Sequence, residues 1–172
     1  LSPPPPLAAT HRQGYKMKDE DYYRFRDDGA RMEGGIRTAV ELWCTDPAAA
    51  KQQYGPIASW DTSEITNMWR LFRNKANFNG DISRWDVSNV TSLRGTFCHA
   101  TSFNGDLSRW DVGVVANMKG GFLRAKAFES DLSAWNVGKV NDMSSMFAEA
   151  SKFDSDLSKW NVAAICWIFR VL

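Results

Sequence analysis

From Phe78 the chain reads "FNGDISRWDV", and 25 residues later it reads "FNGDLSRWDV", then "FESDLSAWNV" from Phe128 and "FDSDLSKWNV" from Phe153. Self-similarity at a fixed period of this size marks a stack of like units, each unable to bury its apolar surface alone. Trp60, Trp85, Trp110, Trp135 and Trp160 keep the period without exception, as do Phe72, Phe97, Phe122 and Phe147, and again Phe78, Phe103, Phe128 and Phe153. Smaller apolar columns lie between them, among them Ile82, Leu107 and Leu132, Val87, Val112 and Val137, and Val90, Val115 and Val140. These columns define the expected core, with the five Trp residues and Phe97, Phe122 and Phe147 as its main members.

Within one unit, Ile82, Trp85 and Val87 follow an apolar-x-x-apolar-x-apolar pattern, which predicts a short strand like that of a leucine-rich repeat. Val90, Leu93 and Phe97 then step by three and four, which predicts a helix capped by Ser88. The fold class that follows is an α/β repeat solenoid of strand-helix-turn units.

Upstream of the repeats the pattern is helical. In "GGIRTAVELWC" the residues Ile36, Ala39, Val40 and Trp43 share one helix face, and "TDPAAAKQQYG" supplies Asp46 as N-cap, proline at the first helical position and glycine past the end. A third helix is predicted within "KMKDEDYYRFRDDGARM". The opening "LSPPPPLAAT" favours an extended polyproline conformation outside the core. The expected organisation is a proline-rich arm over 1–14, a helical N-terminal cap over 15–56, and the solenoid over 57–172 with about 4.5 units.

The quoted repeats, together with the lead-in "AVELWCTDPAAAKQQYGPIASWDTSEITNMWRLF", resemble the 25-residue surface-protein repeat of mycoplasma lipoproteins and bacterial surface antigens, the BspA-like leucine-rich repeats. The resemblance covers about residues 34–165 and implies adhesion or protein binding without a catalytic motif. The chain departs from the family pattern at "ICWIFRVL", which stands where a polar helix is usual.

Catalysis finds no support in the residues. His11 and His99 are the only histidines and neither is set by the repeat beside a nucleophile. Cys44, Cys98 and Cys166 are too scattered for a metal knuckle or a dense disulfide framework, and read as reduced thiols. Asp81, Asp106, Asp131 and Asp156 form a column that invites a cation, but Asp in "NGD" and "ESD" is also ordinary turn chemistry, and turns are the reading adopted. No cofactor and no metal is expected.

The formal charge of +1 removes the whole-chain argument for nucleic-acid binding, and no apolar run reaches the length of a membrane span. Peripheral membrane association through partners stays open. So does location: an organelle, after removal of a targeting peptide ahead of Leu1, or the extracellular surface.

The expectation is a non-catalytic interaction or scaffold module, an accessory or linker subunit docked with other protein chains in a multi-subunit complex. The alternative is an adhesin-like surface protein; a cation-dependent sugar binder or an enzyme ranks below both. The candidate partner-binding residues are Trp167 and Phe169, aromatic in columns that are mostly polar elsewhere, and Arg84, Arg109 and Lys159 beside the Trp column.

Overall fold

The computed structural model describes residues 35–165. The predicted arm, the third candidate helix, Cys166, Trp167 and Phe169 lie outside the described residues.

Two helices come first. Helix α1, Ile36–Thr45, buries Ile36, Ala39 and Val40, and Trp43 on the same face packs edge-on to Trp60 with ring centroids 5.9 Å apart. Helix α2, Pro47–Tyr54, is built as its sequence signals require. Asp46 Oδ1 accepts from the Ala49 amide at 3.0 Å, Pro47 opens the helix where no amide partner is needed, and Gly55 ends it at φ 77°. Tyr54 meets Trp60 edge-on at 6.0 Å, so both helices sit against the first of the Trp column.

Beyond a short 3₁₀ turn at Ile57–Ser59, the described repeats contain neither helix nor strand, which overturns the expected α/β solenoid with a helical cap. Each unit is a chain of turns, and the units lie one on another in a 25-residue register. The reason lies in where the backbone amides go. Leu93, Gly95, Phe97 and His99 donate to the carbonyls of Asn117, Lys119, Gly121 and Leu123 in the next unit, at 2.7 to 2.9 Å. The amides between them close turns within the unit: Thr96 donates to Leu93, Cys98 to Gly95 and Ala100 to Phe97.

The same alternation recurs from Met68 and from Met118, four rungs at each junction. A helix would spend all these amides internally. Two left-handed residues in every unit exclude one here: Arg70, Gly95, Gly120 and Ser145 at φ 55° to 62°, then Asn74, His99, Arg124 and Glu149 at φ 59° to 61°.

The expected strand at Ile82–Val87 fails for a related reason. Asp81 and Asp86 draw the Ser83 and Ser88 amides onto their carboxylates at 3.0 Å, and Trp85 donates back to Ile82. Ser88 is thus a turn residue, not a helix cap. The β-type contact that does exist lies half a unit away, as isolated parallel bridges joining Asn67, Ser92, Asn117 and Asp142 in sequence. Beside it Thr91, Ala116 and Asn141 each donate back to the unit before at 2.8 or 2.9 Å.

The interior is a set of aromatic stacks. Phe72, Phe97, Phe122 and Phe147 follow one another at 5.2 to 5.5 Å, and Phe78, Phe103, Phe128 and Phe153 at 5.6 to 5.9 Å, with nearly parallel planes. The two Phe columns touch within each unit, at 4.2 Å for Phe97 with Phe103. Trp85, Trp110, Trp135 and Trp160 each donate the indole N–H to a carbonyl one unit back, on Ile57, Ile82, Leu107 and Leu132 at 2.8 to 3.1 Å. A buried indole is thereby satisfied by the neighbour it stacks on.

Candidate functional site

A pocket site finds little support. One concavity among the described residues, about 430 Å³, lies between Trp43, Cys44 and Pro47 at the helices and Lys75, Asn77 and Gly80 of the first unit. It holds a thiol but no histidine. Burial pushes the Cys44 thiol above its ordinary value, away from thiolate chemistry, and Lys75 beside it is committed to an ion pair with Glu41. Cys98, the other free cysteine among the described residues, is likewise pushed up by burial, although Arg73, Arg70 and Arg124 act in the opposite sense. Among the described residues no group of three His, Cys, Asp or Glu side chains is placed to hold a metal ion.

The aspartate column is a run of local turns. Asp81 Oδ1 accepts from the Ser83 hydroxyl at 2.7 Å and its amide at 3.0 Å, and the same amide contact recurs at 2.9 Å from Ser108 to Asp106, Ser133 to Asp131 and Ser158 to Asp156. Those hydrogen bonds hold all four carboxyls below the ordinary carboxylate range, with smaller help from a neighbouring base.

That neighbouring base bears on the predicted binding residues. Arg84, Arg109 and Lys159 are exposed in one column. Arg84 acts on Asp81, Arg109 on Asp106, and Lys159 on both Asp131 and Asp156. The Trp-bearing half of the units therefore has no positive surplus. Residues 53–64 and the four segments in register with them carry ten acidic and four basic side chains, a net of −6.

The surplus is on the other half, which the sequence reading passed over. Residues 65–77, 90–102 and 115–127 carry seven basic side chains and no acidic one, and the fourth segment in register, 140–152, adds Lys152 against Asp142 and Glu149. Lys75 is paired with Glu41; Arg70, Arg73, Arg94, Lys119, Arg124 and Lys126 are exposed. Arg70 lies over the Trp69 ring at 4.6 Å, and Arg124 bonds Glu149 at 2.9 Å where the next unit turns acidic.

The two halves meet across the core through Phe72 with Trp85, Phe97 with Trp110, Phe122 with Trp135 and Phe147 with Trp160, at 5.7 to 6.3 Å. Their outer surfaces consequently face away from each other, and a chain of net charge +1 presents a basic side and an acidic side. The signal is present in the sequence as a sum of charge by half-unit.

The described core candidates, Trp60, Trp85, Trp110, Trp135, Trp160, Phe97, Phe122 and Phe147, are all buried. Phe153 and Leu157, in the last described unit, are half-buried and Val162 is 43% exposed. No described helix is long and apolar enough to cross a membrane.

The chain belongs to the family described as "Mycoplasma protein of unknown function, DUF285", which matches residues 46–160, from the cap of α2 to the last of the Trp column. No curated protein and no solved structure matches it.

Proposed function

We propose that the chain is a non-catalytic scaffold that binds other proteins through the sides of its stack, as an accessory subunit of a larger assembly. The observation that carries this reading is the separation of charge between two broad sides of the stacked core. A rigid surface with one sign of charge steers and registers a partner, and selects against partners of like charge. The resemblance of the repeats to BspA-like surface repeats supports protein binding in the same sense. Trp167 and Phe169, in columns held by Asn117 and Asp142 and by Lys119 and Ser144, add aromatic side chains of the kind that anchor interfaces.

The test is affinity capture from the native source with wild-type chain, with an Arg94→Glu, Lys119→Glu variant and with a Trp167→Ser, Phe169→Ser variant. A defined set of proteins held by wild type should be lost from one variant or both while each variant keeps its melting temperature within a few degrees. The same set captured by all three, or loss only where a variant unfolds, would overturn the proposal.

A further inference from the structure

We propose that a partner of the basic side is the acidic side of a second copy of this chain, so that copies associate side to side. This rests on the reading of the molecule as an interaction module and gives that module one partner.

Two features of the stack lead to it. The first is pitch. Arg94 and Lys119 occupy one column of adjacent units, so these two bases stand apart by the spacing of the stack, 5.2 to 5.5 Å in the Phe72 column. Asp81, Asp106, Asp131 and Asp156 repeat in the same 25-residue register, and the Phe78 column beside them is spaced at 5.6 to 5.9 Å. The two rungs of Arg94 and Lys119 therefore match the spacing of any two adjacent rungs of the aspartate column.

The second is fixed orientation. Each aspartate is held by the serine two residues on, so its carboxylate is positioned before any partner arrives. Residues 90–102 and 115–127 contain no acidic side chain, and Arg94 and Lys119 stand exposed there in one column, so the acidic side of a second copy carries the complementary sign.

Because the two sides face away from each other, basic-to-acidic contact leaves one basic and one acidic side free. The contact is heterologous, so association continues with concentration and does not stop at a dimer. Exposed charge pairs are individually weak and strongly screened, so it belongs to high concentration and low salt.

Sedimentation velocity on the full chain tests it. At about 20 mM salt the weight-average mass should rise with concentration over tens to hundreds of micromolar, and about 500 mM salt should weaken association at least roughly tenfold. Arg94→Glu, Lys119→Glu reverses the shared basic column, and Asp106→Lys, Asp131→Lys reverses the middle of the aspartate column. Each should be monomeric alone, and the two mixed should form a 1:1 complex that salt dissolves. Should a reversal variant fail to fold, Arg94→Gln, Lys119→Gln or Asp106→Asn, Asp131→Asn takes its place, each expected to weaken association.

Wild type that stays monomeric at low salt, reversal variants that still self-associate, or a mixture that does not combine would each overturn the proposal. Binding of heparin without self-association would overturn it as well. If self-association is absent yet captured proteins still require Arg94 and Lys119, the module reading stands and this one falls; if both fail, both fall.

Discussion

Trp110 is 3% exposed, touches Phe97 at 6.1 Å and donates its indole N–H to Ile82 of the preceding unit. Removing it opens a cavity between two coils and strands a carbonyl, so Trp110→Ala should cost about 3 to 5 kcal/mol by thermal or denaturant unfolding. A loss below about 1 kcal/mol would contradict the stacked core. Gly120 is a different kind of residue problem. A Cβ there would meet nothing nearer than Leu123 Cβ at 3.8 Å, so space is ample, but φ is 59°. Gly120→Ala should therefore destabilise by about 1 kcal/mol through conformation alone. Ser145 holds the same column at φ 55°, and Ser145→Gly should be neutral or slightly stabilising in the same assay.

At the scale of one unit, the element is a set of turns whose amides alternate between neighbours. Hydrogen exchange should reveal this directly. Gly95 and Phe97, donating to the next unit, should be well protected, whereas Arg94, whose amide reaches only the Ser92 hydroxyl at 3.4 Å, should exchange fast. A helix over this segment would protect consecutive amides.

The aspartate turns have their own signature in pH. Asp81 and Asp106 are held below their ordinary values chiefly by Ser83 and Ser108, so the folded state prefers the ionised form. That contribution is fully present above the unfolded carboxylate value near 3.9 and is lost as pH falls through the lower folded value. The melting temperature should be flat above about pH 5 and fall below about pH 4. Because these carboxylates face water, the effect should be small. Excess EDTA should leave the melting temperature unchanged; a drop of several degrees would return the column to a cation site.

For the molecule as a whole, the Arg94 and Lys119 column and the aspartate column each set like charges above one another, although Arg84, Arg109 and Lys159 lie near the aspartates. Repulsion along the Arg94 and Lys119 column and along the aspartate column opposes stacking, and salt screens both. Dilute protein, near a micromolar and free of association, should melt a few degrees higher at about 0.5 M salt than at about 20 mM. A melting temperature that falls with salt would mean that pairs such as Arg84 with Asp81 outweigh the columns. The stack also transmits stability only between neighbours. The ladder amides of Met118, Gly120 and Phe122, with units on both sides, should accordingly be among the slowest to exchange.

The sequence by itself determined the period, the identity of the core columns and the two helices, because each is written in local spacing: Trp at every 25th position, Ile36 to Trp43 on one face, Asp46 and Pro47 at a helix start. It also contained the charge split, legible once each half-unit is summed. Only the tertiary structure decided what Val90, Leu93 and Phe97 form. Their spacing of three and four residues suits a helix, and it suits equally a chain of turns that points every third or fourth side chain inward. The choice between them rests on the partner of each amide. Where an identical unit lies at the right height, Leu93, Gly95, Phe97 and His99 reach its carbonyls, and the left-handed residues that this geometry needs leave no helix to form. That partner is 24 residues away in sequence and a single hydrogen bond away in space, which no local pattern records.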